Sequence, residues 1–301
     1  MRPLRLVTSL VAMVAAASAA GAQGPTPAVS WYPARPTQGS LIRLAVTWPE
    51  ISGLDGTLAG ERLHFERDST GAFHAVGAVP VDADSSVTGN LWTDGGPDSA
   101  RIAVPIAARR SRSESLRLGR EYTEPPDSAL AARIAAERRE IGQAFARAHD
   151  GPRLWSLWFS PPRRAPITSD FGTRRVLNGA TRSRHLGLDY DGNVGEPVRA
   201  TNRGVVLLVG DFFYNGKCVY ISHGAGLMTA YLHMSAVQVS VGDTVVRGQA
   251  IGAVGATGRV TGPHLHWSVH YGGITVDPMS LLSLRPLPSF DAEAPDDPRI
   301  W

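Results

Sequence analysis

The 301-residue chain contains a single cysteine, Cys218, and a single lysine, Lys217. One cysteine cannot form an intramolecular disulfide, and without a C-x-x-C pair there is no structural zinc knuckle. Cys218 lies in the apolar alternating run Lys217-Cys218-Val219-Tyr220-Ile221 and reads as a small buried residue rather than a catalytic thiol. An H-E-x-x-H helix is absent too, which excludes the commonest helical zinc-peptidase site. Charged residues make up only 19% of the chain and hydrophobic ones 43%, the balance of a folded chain rather than a disordered one. No stretch concentrates positive charge, so nothing marks a nucleic-acid partner. Long apolar runs are missing outside the first 22 residues.

That first stretch carries Arg2 and Arg5, an apolar core from Leu6 to Ala17, and the small-x-small site Ala20-Gly21-Ala22 before Gln23. These are the parts of a secretory signal peptide over 1–22. The segment is short and alanine-rich beside the ~20 apolar residues of a membrane span. The expectation is an exported protein of the periplasm or the extracellular and cell-wall space, with no stable membrane span after cleavage. No cysteine follows the cleavage site, so lipid anchoring at that end is excluded. Without Arg2 and Arg5 the mature chain holds 28 basic and 27 acidic residues, nearly neutral despite a sequence pI of 9.3.

Beyond a leader at 23–29, the pattern predicts a mainly β protein in two parts. Residues 30–118 show short alternating strands broken by Gly, Pro and Asp, such as Leu41–Val46, Phe73–Val79 and Arg101–Val104, which argue a β-sandwich-like accessory domain. His64 and His74 lie in it without companions, as surface or half-buried strand residues. A linker and one helix occupy 119–150. Asp127 or Ser128 can cap the helix, Leu130, Ile134, Ile141 and Phe145 form its apolar stripe, and Gly151-Pro152 end it. Residues 151–284 carry Gly-punctuated strands and no helix beyond two turns, an antiparallel β-domain. A Pro- and Asp-rich tail fills 285–301.

Of the nine histidines, six fall between positions 185 and 270. They include the patterns His185-Leu186-Gly187-Leu188-Asp189 and His264-Leu265-His266, with Tyr231-Leu232-His233 between. If each motif lies on a strand, alternation points His185 and Asp189 one way, and likewise His264 and His266. Two histidines and one carboxylate from two strands are a common protein ligand set for a catalytic zinc, leaving a fourth position for water. The H-x-H pattern supplies one imidazole more than that site needs, and His233 another. Those spares are natural general acid/base groups.

From Ile167-Thr168-Ser169-Asp170-Phe171-Gly172 to Val276-Asp277-Pro278, these motifs resemble the lysostaphin-type (LytM-like) zinc metallopeptidases of bacterial cell walls. The resemblance implies one Zn2+ per chain, held by His185, Asp189 and His266, with His233 and His264 beside it as acid/base and oxyanion groups. It further implies an endopeptidase in which zinc-activated water attacks peptide crosslinks or stem peptides of peptidoglycan. Family members that have lost these residues act as non-enzymatic activators of cell-wall amidases; here all five are present. A peptidoglycan-binding protein led by the accessory domain is the other alternative. His223 reads as structural and His270 as an exposed strand residue. Asp191 is a rival carboxylate to Asp189, and Asp277 fixes a turn. Arg174 or Arg175 can pair with a substrate carboxylate or lie solvated on the surface.

Overall fold

The computed structural model describes residues 12–15, 26–94 and 98–284. Most of the expected signal segment, residues 23–25 of the leader and the tail 285–301 lie outside them. Ala12–Ala15 is described as a strand antiparallel to Ala28–Tyr32. That second strand starts at Ala28, inside the expected leader.

The accessory half is two antiparallel sheets. One runs Ala12–Ala15, Ala28–Tyr32, Leu41–Thr47, Phe73–Ala78 and Glu66–Arg67 in spatial order. The other runs Glu61–Leu63, Leu54–Leu58, Ser86–Thr93 and Ser99–Pro105. Alternating apolar residues from both, among them Ile42, Leu44, Leu58, Leu91 and Val104, close a dry core. His74 is buried against Asp68 at 2.8 Å rather than half-exposed, and His64 meets His149 at 2.8 Å. Both have companions that the sequence did not reveal.

The helix spans Ser128–Arg147, and Asp127 caps it by accepting from the Leu130 N–H at 2.8 Å. Ala144 and Ala148 pack with Leu208, Phe212 and Tyr220 of the C-terminal half. That half is built on an eight-stranded sheet. Its path is Ile167–Ser169, Leu188–Asp191, His264–Tyr271, Leu227–Met234, Gly216–Gly224, Gly204–Phe212 and Thr244–Val245, with Ile274–Val276 paired to His264–Tyr271. Trp267, Tyr231 and Tyr271 are fully buried beneath it. Its one helix among the described residues is the five-residue turn Pro278–Leu282, capped by Asp277.

Several contacts join the halves, two of which bear on the site. The strand Ser113–Leu116, from the end of the expected accessory domain, pairs parallel with Arg174–Leu177, which pairs in turn with Thr181–Arg184. Glu66 of the accessory half accepts from Arg153 Nε at 2.7 Å, and that arginine side chain is only 2% exposed. No helix of the described residues is long and apolar enough to cross a membrane.

His223 is structural, as its sequence context suggests. It sits fully buried between the Arg203 carbonyl (2.7 Å from Nδ1) and the Thr229 hydroxyl (2.9 Å from Nε2). Burial pushes its pKa down to about 4. Below the unfolded-state value of ~6.5, the unfolded chain takes up a proton that the folded one refuses. The contribution is therefore intact above that value and drains away as the pH falls to about 4. Urea denaturation between pH 7 and 4 should show stability falling by about 1.4 kcal/mol per pH unit more steeply in the natural chain than in His223→Gln. Equal slopes would mean that His223 is not buried in its neutral form.

Candidate metal centre

Register brings the site together. In the antiparallel pairing of Leu188–Asp191 with His264–Tyr271, Asp189 lies directly opposite His266 and Asp191 opposite His264. Cross-strand partners share a face, so the carboxylate and the second imidazole of H-x-H meet without any loop to place them. His266 Nδ1 is 2.8 Å from Asp189 Oδ1. His264, two residues earlier on the same strand, puts Nε2 3.6 Å from the same oxygen. The carboxylate of Asp191 is exposed and joins no such cluster.

His185 arrives differently from the expectation. It is not on a strand with Asp189 but just past the end of Thr181–Arg184, and a short bend at residues 186–187 returns the chain into Leu188–Asp191. Gly187 makes the bend possible. A Cβ there would lie 2.5 Å from His266 Nε2 and 2.7 Å from the Trp267 carbonyl oxygen. His185 Nε2 then stands 2.9 Å from Asp189 Oδ1 and 3.0 Å from His266 Nδ1. Its Nδ1–H donates to the Asp170 carbonyl at 3.0 Å, which leaves the Nε2 lone pair facing inward.

Three donor atoms at mutual distances of 2.8–3.0 Å form a triangle. Three protein ligands of a tetrahedral zinc, with bonds of ~2.0–2.1 Å, stand roughly 3.3 Å apart, so the triangle needs only slight opening. The electrostatics suit a cation. Burial alone would raise the Asp189 carboxyl, but the neighbouring rings of His185 and His266 hold it far below the usual carboxylate range. Burial brings His266 down to about 4. An ionised carboxylate beside neutral imidazole is the protonation state in which such groups bind a divalent metal. Among the described residues this is the one His/Cys/Asp/Glu group close enough to hold an ion.

His233 ends the strand Leu227–Met234. Its neighbour Leu232 pairs with His266, so regular alternation would send His233 to the opposite face. A left-handed backbone (φ 65°) re-aims it instead; for a non-glycine residue that costs about 1–2 kcal/mol. Its Nδ1–H donates to the Thr257 carbonyl at 2.8 Å, and its ring centroid lies 5.1 Å from that of His264. The Nδ1–H of His264 donates likewise to the Gly262 carbonyl at 2.9 Å. In the neutral form of each ring the lone pair is then on Nε2. Burial, and then the nearby His266 and His264, holds the His233 pKa well below the ordinary value. All five residues line one cleft of about 560 Å³.

Several neighbours went unread in the sequence. Arg175 neither awaits substrate nor lies free on the surface. Its Nη2 donates to Asp189 Oδ2 at 2.7 Å and to Ser169 Oγ at 3.0 Å, and its Nε is paired with Glu114 of the strand Ser113–Leu116. Arg174, next to it, is exposed. Ser169 also approaches His185 Nδ1 at 3.2 Å. Glu114 gave no sequence signal because it lies 61 residues from its partner, outside the motif region. His270 is buried rather than exposed. It bonds Ser268 Oγ at 3.0 Å and Thr275 Oγ1 at 3.2 Å, and the helix covers it with Phe145, 4.5 Å between ring centroids.

Because Arg175 is what fixes the second oxygen of Asp189, Arg175→Gln should weaken zinc binding by about 10–100-fold in competition with a chromogenic chelator. Glu114→Gln should shift affinity the same way by less. Unchanged affinity in Arg175→Gln would show that the guanidinium does not orient the carboxylate.

Comparison with known proteins bears on this arrangement. The profile of Peptidase family M23 matches residues 183–278. Peptidoglycan DD-endopeptidase ShyA of Vibrio cholerae is 43% identical over 147 residues, covering 48% of this chain and 34% of that protein. DD-carboxypeptidase/endopeptidase Mpg of Neisseria meningitidis is 42% identical over 115 residues, 38% of this chain and 26% of that one. The chain thus spans about a third or less of the length of these curated relatives. A crystal structure of a candidate M23 peptidase from Pseudomonas aeruginosa superposes with a TM-score of 0.65 at 27% identity, over 82% of this chain and 95% of that one. Its likeness therefore extends well beyond the matched segment. Residues 183–278 thus form a Peptidase family M23, or LytM-type, domain.

Proposed function

We propose that the protein is an exported, zinc-dependent endopeptidase that cuts peptide crosslinks of bacterial peptidoglycan. The observation that carries the reading is the triangle of His185, Asp189 and His266 with His233 and His264 facing it across one cleft. Members of the family that only bind or activate have no need of that whole set. The substrate is supported by the relatives named as peptidoglycan endopeptidases and by the N-terminal signal pattern.

His185 Nε2, Asp189 Oδ1 and His266 Nδ1 would hold the metal. When bound, zinc supplies Lewis acidity and lowers the pKa of a water to ~7. The remaining work falls to side chains of this chain. His264 and His233 each have Nδ1–H tied to a backbone carbonyl, so each offers Nε2 as a proton acceptor toward the cleft. One takes the proton of the attacking water. The other, once protonated, donates to the oxygen of the tetrahedral intermediate or to the departing amine. Burial, with His266 and His264 beside it, holds the His233 pKa well below the ordinary value, so its imidazole is ready as a base at neutral pH. Arg175, Ser169 and the Asp170 carbonyl hold His185 and Asp189 in orientation while charge develops.

Purified peptidoglycan should be digested by residues 23–301 with zinc, and mass spectrometry should find crosslinks opened at a peptide bond. Chelator should abolish this and zinc restore it. His233→Ala should lower kcat/KM by about 10²–10⁴-fold with one zinc still bound, whereas His266→Ala should lose the metal as well. A chain that carries one zinc yet leaves every peptide bond intact would refute the proposal.

A further inference from the structure

Three arginines line the cleft, and two of them are committed. Arg175 serves Glu114, Ser169 and Asp189, as described above. Arg184 donates from Nη1 to the Val81 carbonyl at 2.9 Å. The third, Arg259, is different. Among the described residues its guanidinium has no hydrogen-bond or ion-pair partner; it lies over the ring of Tyr214, 4.8 Å from the centroid. The side chain is half-buried, and the burial lowers its pKa, with the charge of Arg175 acting in the same direction. A cation partly withdrawn from water, beside a second cation and with no anion, is an arrangement that gains when an anion arrives.

Its position is fixed rather than floppy. The Arg259 N–H donates to the Tyr214 carbonyl at 2.9 Å. Gly258, before it, has φ 72° and abuts the backbone of Gly216 and Tyr214, so closely that a Cβ would fall 2.4 Å from the Gly216 nitrogen. The contact of its guanidinium carbon with the Tyr214 ring further restrains the side chain. The same turn supplies the Thr257 carbonyl that orients His233. The unpaired guanidinium thus stands in the turn that also positions an acid/base histidine. Arg259 lines the same cleft as the five site residues, so a substrate group that it reaches lies near the bond being cut. A guanidinium fork fits a carboxylate with two parallel hydrogen bonds.

We propose that Arg259 is a specificity residue that binds a free carboxylate of the substrate close to the scissile bond. The substrate class is then an acidic crosslinked stem peptide, and amidated peptides or uncharged glycine bridges are disfavoured. This deepens the peptidase reading and rests on it for the meaning of the cleft, while its test does not require turnover.

The test uses two synthetic crosslinked peptides, identical except that the carboxylate beside the bridging amide is free in one and amidated in the other. Binding of each to chelator-treated residues 23–301 is measured by calorimetry, so that neither is consumed. The free acid should bind at least about ten-fold more tightly, the scale of one charge-assisted pair. In Arg259→Gln its affinity should fall to that of the amide, and Arg259→Lys should recover part of the preference as a point charge. Equal binding of both peptides to the natural chain, no binding of either, or a preference that survives in Arg259→Gln would each overturn the assignment. Hydrolysis of the same pair with zinc present separates the two ideas. A clear binding preference without any cleavage would sink the peptidase reading and leave the carboxylate site standing.

Discussion

One carboxylate oxygen, Asp189 Oδ1, is the point on which the site converges. It lies within 3.0 Å of two imidazole nitrogens and 3.6 Å from a third. The placement follows from strand register, with Asp189 facing His266 across an antiparallel pair. A slip of one residue would set Leu265 or Trp267 opposite the carboxylate and turn every side chain to the other face. The buried Leu265 and Trp267 on the reverse side of that strand hold the register, so the hydrophobic core and the polar site are two faces of the same constraint. Breaking it would take His266 from a buried carboxylate and leave Arg175 to hold it.

The structure also shows that the site is not confined to the matched segment 183–278. Ser169 and Arg175 precede it, and Glu114 comes from the strand that leaves the accessory half. Ile141 and Phe145 of the helix line the same cleft as the histidines. Ion pairing between Glu66 and Arg153 ties the accessory sheets to the peptidase half. Removing residues before 150 would therefore strip one wall of the cleft and one anchor of the Arg175 guanidinium. Residues on both sides of position 150 thus line one cleft.

Much of this was legible in the sequence because it is local. The H-x-H spacing is a strand periodicity, and the strand His264–Tyr271 keeps it. Asp127 announces the helix because a cap is a short-range interaction. What the sequence hid was either non-local or irregular. His185 and Asp189 meet through a glycine bend, not through strand alternation, though the same pair was named. His270 looked exposed because nothing in its own strand reveals that a helix more than a hundred positions earlier will cover it. Arg175 could have been assigned to substrate or solvent with equal reason, since Glu114 is invisible as its partner until the linker is folded back. His233 is recognisable by its motif, but the positive φ that aims it is not.

The central claim is that His185, Asp189 and His266 form a three-ligand metal centre with His233 and His264 outside it. Crystals of the protein loaded with zinc, measured on either side of the zinc absorption edge, address it most directly. The account predicts one strong anomalous peak bonded to His185 Nε2, Asp189 Oδ1 and His266 Nδ1, with no bond to His233 or His264. A peak coordinated by either of those two histidines, a peak elsewhere, or none at all would contradict it.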